Sequence, residues 1–163
     1  MPKRTEPGPG QESVWDYPRP PALEPTDRRI QVVFNDATIV DTTGAYRVLE
    51  TSHPPVYYVP PEAIVDGVLQ DAGRISHCEF KGRARYYDVA VGDRRAAQAA
   101  WAYPSPTPRF EAIAGYVAFY AHKMDACYVG DEQVDAQQGS FYGGWITSDV
   151  VGPFKGGPGT IGW

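Results

Sequence analysis

The sequence predicts a mainly β protein of antiparallel strands and tight turns, and its composition carries most of that prediction. Leu occurs three times and Met twice among 163 residues, whereas Val, Ile and Thr together occur 32 times (16, 7 and 9). Leu and Met fit helices, while β-branched side chains suit the pleated surface of a sheet. The 17 Gly and 16 Pro residues supply turns, and aromatic residues make up 13% of the chain. A helical bundle is therefore excluded.

The first segment, residues 1–28, is predicted to be a Pro-rich arm, because it holds seven of the sixteen prolines. We expect residues 1–10 to be disordered. Residues 11–28 are expected to dock on the domain, since a free tail has little reason to carry the aromatic ring of Trp15. In an alternative interpretation, Trp15 covers a ligand site. The remaining residues, 29–163, fit one domain.

Local patterns predict the strands of this domain. Apolar residues alternate over 30–34, Asn35-Asp36 supplies a turn and residues 38–40 continue, which predicts a β-hairpin. Residues 46–50 fit a strand or a short helix, and Pro61 opens a short helical turn. Further strands are expected at 56–59, 83–91, 96–101, 113–120 and 126–129, and a Gly-rich coil is expected at 143–163.

The charge balance narrows the classes of partner. The net charge is −5 and the pI is about 5.1, whereas nucleic-acid-binding domains carry a basic footprint. We therefore expect no nucleic-acid partner. No apolar run reaches the roughly 18 residues of a membrane span, and no apolar stretch follows the N-terminus. A cytoplasmic protein without a membrane partner is expected; the oligomeric state stays open, and a homodimer is compatible with the sequence.

Neither a metal site nor a bound cofactor is predicted. The two cysteines, Cys78 and Cys127, cannot form the paired Cys-x-x-Cys knuckles that hold structural zinc. Residues 152–160 are rich in glycine but lack the Gly-Lys-[Ser/Thr] ending of a phosphate-binding loop, and two prolines remove N–H donors there. Lys155 within this segment is a candidate for the rim of a pocket.

A basic strand stands out in this acidic chain. Lys81, Arg83 and Arg85 alternate, so we expect all three side chains to project from one face of the strand. Such a stripe predicts a site for a carboxylate or phosphate. The alternative is an ordinary exposed face whose charges pair with nearby acids.

Aromatic residues cluster along the chain in a way that predicts a pocket. Two tyrosine doublets, at 57–58 and 86–87, each direct one ring to either face of a strand. If the second rings converge, they form an aromatic wall with hydroxyl groups at its edge; ordinary packing of the tyrosines is the alternative. The predicted wall comprises Tyr58, Tyr87, Trp101 and Tyr103, with Trp15 as a further contact.

One group of residues fits nucleophilic catalysis. Cys78 lies at a predicted loop-to-strand junction beside Lys81, and a thiolate needs a base or a positive charge nearby. A distant histidine, His53 or His122, is a better base than the adjacent His77, whose geometry is unfavourable. Glu79 is the candidate general acid or base. A small buried structural cysteine is the alternative interpretation of Cys78.

Several longer motifs resemble one known family. They are SVWDYPRPP at 13–21, RVLETSHPPVYY at 47–58, CEFKG at 78–82, ARYYD at 84–88, GYVAFY at 115–120 and the segment 145–163. In this order, over about residues 11–163, they resemble the bacterial family numbered 427 among the domains of unknown function.

The resemblance implies a β-tent-like fold, in which two antiparallel sheets lean together around an aromatic-walled ligand cavity on one sheet. Many relatives of that fold class hold zinc with two cysteine pairs, which this chain lacks, so zinc is not carried over. Some family members bear a nucleotidyltransferase-like label. The chain has no Gly-Ser followed by paired carboxylates, as two-metal nucleotidyl transfer would require.

These observations together predict a domain that binds a small anionic or aromatic metabolite in an aromatic-walled pocket. Two alternatives remain open at this point. One is a small cofactor-free lyase, hydrolase or isomerase that uses Cys78, or His53 with Glu79. The other is a protein-interaction module with the N-terminal arm as its Pro-rich ligand.

Overall fold

The computed structural model describes residues 2–163. Short 3₁₀ helices span Val14–Asp16, Pro61–Ala63, Pro108–Ile113 and Ala121–Lys123. The strands are β1 (Glu12–Ser13), β2 (Ala22–Pro25), β3 (Ile30–Phe34), β4 (Ala37–Thr42), β5 (Tyr46–Leu49), β6 (Val56–Tyr58), β7 (Leu69–Cys78), β8 (Gly82–Val91), β9 (Arg94–Ala102), β10 (Val117–Phe119), β11 (Ala126–Val129), β12 (Glu132–Gln133), β13 (Asp135–Ala136), β14 (Trp145–Ile146) and β15 (Val150–Val151).

Two four-stranded antiparallel sheets form the framework. Their strand orders are β10-β9-β8-β7 and β12-β11-β3-β4. Strands β2, β5 and β6 form a smaller antiparallel sheet, and the pairs β1–β15 and β13–β14 complete the pairing. The prediction of a mainly β fold with antiparallel sheets is confirmed.

The main core lies between the two four-stranded sheets. Ile30, Val32 and Phe34 of β3 alternate into it, as the hydrophobic pattern predicts, and they meet Ala100 of β9 and Phe119 of β10. Burying these side chains removes apolar surface from water, at about 25 cal/mol per Å². The core thus joins the two sheets through apolar packing.

A second apolar cluster covers the opposite face of the β10-β9-β8-β7 sheet. Trp101 and Ala118 point there because they alternate with the core residues Ala100 and Phe119 along their strands. The smaller sheet closes over this face with Tyr58 of β6. Strands β9 and β10 therefore carry apolar clusters on both faces of this sheet, and the candidate site lies in the second layer.

Two parts of the segment 12–25 are strands of the fold, residues 12–13 and 22–25. β1 pairs with β15, β2 pairs with β5, and Trp15 is buried in a third cluster with Val14 and Val150. The predicted disorder of residues 1–10 stays a prediction; Met1 lies outside the described residues, and the Thr5 N–H donates to the Gly152 carbonyl. The division into an arm and a domain likewise stays a prediction.

The structure departs from the predicted strands at several places. The ten-residue strand β7 was not predicted, because its residues are mostly polar and exposed at a sheet edge and show no clean alternation. The strand predicted at 113–120 is shorter than expected: a 3₁₀ helix ends at Ile113, residues 114–116 are not strand, and only the three residues of β10 are strand. The Gly-rich end of the chain contains β14 and β15 but is otherwise irregular, as expected. Among residues 2–163, no helix has the length and apolarity to cross a bilayer.

Candidate functional site

A cavity of about 350 Å³ opens between the second-layer face of the β10-β9-β8-β7 sheet, the turn after β5 and the Gly-rich end of the chain. We call it the aromatic cavity. Its volume lies at the lower end of the roughly 300–1,000 Å³ typical of small-molecule sites. The residues lining it are Glu50, His53, Val56, Tyr58, Ser76, His77, Cys78, Lys81, Tyr86, Trp101, Tyr103, Tyr120, Gln137, Phe141, Tyr142, Gly143 and Lys155.

The register of two strands places the aromatic wall. Tyr86 of β8 lies directly opposite Trp101 of β9, so both rings share one face of the sheet. Trp101 Nε1 donates a hydrogen bond of 3.2 Å to the Tyr58 hydroxyl, which holds the indole in place. The ring of Tyr120 lies 4.6 Å from that of Trp101, centroid to centroid. The wall therefore consists of packed and oriented rings.

A glycine permits the closest contact in this wall. A Cβ atom added to Gly143 would lie 2.1 Å from Cη2 of Trp101, far inside van der Waals contact. The backbone at residue 143 therefore lies flat against the indole, where a side chain would displace it. This contact joins the irregular C-terminal segment to the sheet.

The hydroxyls of Tyr58, Tyr103 and Tyr120 in the cavity are neutral at physiological pH. Burial raises the pKa of Tyr58 and of Tyr103 well above the ordinary value, and burial likewise raises the pKa of Tyr120 to about 12. These groups therefore offer O–H donors and lone pairs, with no negative charge.

Two lysines supply positive charge to the aromatic cavity. Lys81 Nζ lies 5.9 Å from the ring centroids of Tyr103 and Phe110. Lys155 Nζ lies 5.9 Å from the Tyr142 ring centroid. Among residues 2–163, neither ammonium group forms an ion pair with an Asp or Glu side chain.

Lys81 does not share a strand face with Arg83 and Arg85, contrary to the prediction from their alternation. It lies in the turn before β8, and Gly82 at the strand start has a φ of +102°, so the alternation of the strand does not extend to it. Arg83 and Arg85 are exposed and line a separate depression of about 180 Å³. The expectation that all three share one face is wrong for this reason.

His53 lies at the edge of the cavity, in the turn after β5. Its Nε2 lies 3.7 Å from Oε2 of Glu50, which in turn lies 3.5 Å from Arg19 Nη2. Burial lowers the pKa of His53 to about 4, aided by the charges of Lys155, Arg19 and Lys81 and opposed by Glu50. The imidazole is therefore neutral at pH 7.

The three candidate catalytic residues are only partly brought together. Cys78, at the end of β7, and His53 both line the aromatic cavity, and the predicted pairing of this thiol with a distant histidine stays a prediction. Glu79 is exposed in the following turn and does not line the cavity. His122 is also exposed and outside the cavity. A catalytic role for Cys78 stays a prediction.

Two predicted wall residues lie elsewhere. Tyr87 is next to Tyr86 on β8 and therefore points to the opposite face, where it packs against the main core. Trp15 donates from Nε1 to the Pro153 carbonyl and packs on Trp163, in the third apolar cluster. Neither ring lines the aromatic cavity. Tyr58, Trp101 and Tyr103 do line it.

Several residues that line the aromatic cavity were not predicted from the sequence. Tyr86 was passed over for Tyr87, and only the register with β9 distinguishes them. Gln137, Phe141 and Tyr142 come from a segment without periodicity; the aromatic pair at 141–142 between glycines was the available signal. Glu50 lies within a quoted motif but was not singled out.

The structure also contains a larger concave region, which we call the Arg47 groove. It encloses about 880 Å³ and is lined by residues of the N-terminal arm and of β5. The Arg47 guanidinium forms ion pairs with Glu12 at 2.8 Å and Glu24 at 2.6 Å, and Arg28 pairs with Asp149 at 2.7 Å. Its arginines are therefore neutralised within the fold.

Metal-ligating side chains are not clustered in the part of the chain that the structure describes: no group of three or more His, Cys, Asp or Glu residues there is arranged to hold an ion.

Comparison with curated proteins finds no significant match for the chain. A family model described as "Domain of unknown function (DUF427)" matches residues 22–130, more than half of the chain. That span contains β2 to β11 and many of the residues that line the aromatic cavity. The chain therefore belongs to the DUF427 family.

Proposed function

We propose that this protein binds a small aromatic anion in the aromatic cavity. The observation that carries the proposal is the combination of a packed aromatic wall with two lysines, Lys81 and Lys155, that lack Asp or Glu partners among the described residues. The proposed ligand has a flat apolar body and a carboxylate or phosphate group.

The wall supports the apolar part of this proposal. Offset or tilted stacking of aromatic rings contributes about 0.5–1.5 kcal/mol per pair beyond buried area. Trp101 offers an indole whose orientation is already held by Tyr58 and Gly143, so its ordering costs little on binding. Phe141, 65% exposed at the edge of the cavity, has apolar surface that a ligand would cover.

The charges support the anionic part. Glu50 is the acidic residue that lines the cavity, and it is already held by Arg19. Lys155 Nζ has one long contact, 3.4 Å to the main-chain oxygen of Trp163, the last residue of the sequence. Hydrogen bonds to charged groups contribute about 1.5–3 kcal/mol. An anion that reaches both lysines would gain such contacts without breaking an ion pair to an Asp or Glu side chain.

Titration followed by NMR tests this proposal. The chain has four tryptophans, and their indole N–H signals separate the regions, because Trp101 lines the aromatic cavity while Trp15 and Trp145 bond to backbone carbonyls elsewhere. We expect benzoate and phenyl phosphate, at millimolar concentration, to shift the Trp101 signal selectively. Benzyl alcohol, the uncharged matched probe, should shift it much less.

Two results would overturn the proposal. In one, neither anion shifts the Trp101 signal. In the other, benzyl alcohol binds as well as benzoate, so that charge plays no part. Replacing Lys81 and Lys155 by methionine should weaken benzoate binding while Lys3→Met, a variant in the exposed N-terminal segment, should not.

A further inference from the structure

The side chain of Gln137 is buried beside the aromatic cavity, and its amide has one allowed orientation. The Gly144 N–H donates to Gln137 Oε1 at 3.0 Å, and Gln137 Nε2 donates to the Lys155 carbonyl oxygen at 2.7 Å. Exchanging the amide oxygen and nitrogen would set two acceptors against each other and two donors against each other. The hydrogen-bond partners therefore establish which end of the amide is the NH₂ group.

The second hydrogen of that NH₂ group points to His53. Gln137 Nε2 lies 3.1 Å from His53 Nδ1. An amide nitrogen donates and does not accept, so Nδ1 must supply a lone pair. A neutral imidazole has one N–H, and with Nδ1 unprotonated that hydrogen lies on Nε2. A proton on Nδ1 would face an N–H donor at 3.1 Å.

The groups around the ring favour the neutral form. Glu50 lies 3.7 Å from Nε2 and favours the charged imidazole, while the positive charges of Lys155, Arg19 and Lys81 favour the neutral imidazole. The ring of Tyr142 packs 5.4 Å from the imidazole, centroid to centroid. Burial, the strongest influence, holds the pKa of His53 near 4.

We infer that Gln137 is a positioning residue that holds His53 as a neutral imidazole protonated on Nε2, so that the ring meets a bound anion as a hydrogen-bond donor and not as a base. The part of this inference that concerns a bound anion rests on the proposed function. The part that concerns the tautomer rests only on the Gln137 and His53 contacts. Nε2 would then donate to an acceptor oxygen of an anion held by Lys81 and Lys155.

The tautomer of His53 distinguishes two roles of this residue, a hydrogen-bond donor to an anion and a base for Cys78. Removing the proton of the Cys78 thiol would require a ring nitrogen with a free lone pair. In the inferred state Nε2 already carries a hydrogen, and the lone pair of Nδ1 is occupied by Gln137. His53 is therefore unable to act as the base for Cys78 without first breaking the Gln137 contact.

Long-range proton–nitrogen correlation NMR of the free, full-length protein tests the tautomer without a ligand. We expect the His53 signals of the Nε2–H tautomer at pH 7. Gln137→Met should lose this uniform state, and Gln137→Glu should move the proton to Nδ1, because a carboxylate accepts. Gln138→Met, on the exposed neighbouring residue, is the matched control and should leave the spectrum unchanged.

An Nδ1–H tautomer in the wild-type protein would overturn the inference, and so would a Gln137→Met variant with an unchanged His53 tautomer. The wild-type measurement decides the matter even if a variant fails to fold. If the tautomer is as inferred and benzoate does not bind, only the proposed function fails. If benzoate binds, its addition should shift the Nε2 signals most, and Gln137→Met should weaken binding roughly 3- to 10-fold, the loss of one hydrogen bond.

Discussion

The aromatic cavity and the Arg47 groove are both concave and both carry basic side chains, yet their charges are used differently. In the larger groove, Arg47 binds Glu12 and Glu24, and Arg28 binds Asp149. In the smaller cavity, the lysine ammonium groups have no Asp or Glu partner among residues 2–163. The groove's ion pairs join segments of the chain to one another. By volume alone the groove would be the better candidate for a ligand site. The two lysines without Asp or Glu partners, beside packed aromatic rings, favour the aromatic cavity instead.

Deleting residues 1–28 should cause the largest loss of stability among these changes. It changes the groove directly, because the arm lines the groove and no described residue of the arm lines the cavity. The deletion exposes the partners of Val14, Trp15 and Tyr17, all buried. Burying one such side chain contributes about 1.5–3 kcal/mol, so the loss is on the order of 5 kcal/mol. Thermal unfolding measures it; an unchanged Tm would show that the arm is a free segment.

Lowering the pH should reveal the buried histidine of the cavity. The pKa of His53 is about 4 in the folded protein and 6.5 ordinarily. Between pH 6.5 and pH 4, His53 therefore binds a proton in the unfolded chain but stays neutral in the folded protein. The stability that the neutral form contributes above pH 6.5 is lost as the pH falls toward 4. The full loss is about 3 kcal/mol. Urea unfolding across this window should show a shallower pH dependence for His53→Gln; equal slopes would contradict the shift.

Replacing Arg47 by methionine should separate stability from binding. Its side chain is 12% exposed and joins β5 to Glu12 and Glu24 on the arm. We expect a loss of about 2 kcal/mol in the free energy of unfolding, from hydrogen bonds to charged groups. Benzoate affinity should stay unchanged, and a weaker affinity would show that the groove and the cavity are coupled.

Replacing Lys81 or Lys155 by methionine should give the opposite result. Among the described residues neither lysine pairs with an Asp or Glu side chain, so the free energy of unfolding should change by at most about 0.5 kcal/mol. Benzoate affinity should fall about tenfold for each variant, which corresponds to about 1.4 kcal/mol. Calorimetric titration measures this, with Lys3→Met as the control. Destabilisation without loss of affinity would assign the lysines to the fold.

The smallest effect is expected for Phe141→Ala at the cavity edge. Its ring is 65% exposed in the free protein, so truncation should leave stability almost unchanged. It should weaken benzoate binding only a few-fold, about 0.5–1 kcal/mol, as the ligand loses one aromatic contact. Wild-type affinity in this variant would place the ligand deeper in the cavity, away from Phe141.

Local patterns predicted local structure well. The hairpin of β3 and β4 follows from alternation and from Asn35 and Asp36, whose positive φ values of 50° and 62° suit a tight turn. The edge strand β7 escaped prediction, because pairing with β8 and not a hydrophobic pattern makes it a strand. Local sequence therefore specifies strands that have a buried face.

The candidate site was predictable only in part, since it depends on contacts between distant residues. Tyr58 and Trp101 could be named from aromatic content. Choosing Tyr86 over Tyr87 requires the register of β8 against β9. Lys155 was offered as a rim residue, but its meeting with Gln137 and His53 is a tertiary contact that no spacing indicates.

The most direct test of a ligand site in the aromatic cavity is a crystal structure with para-bromobenzoate, whose bromine can be located by anomalous scattering. We predict one bromine peak beside the Trp101 indole, with the carboxylate toward Lys81, Lys155 and Nε2 of His53. A bromine peak in the Arg47 groove, or an empty aromatic cavity in crystals grown with saturating ligand, would contradict the account.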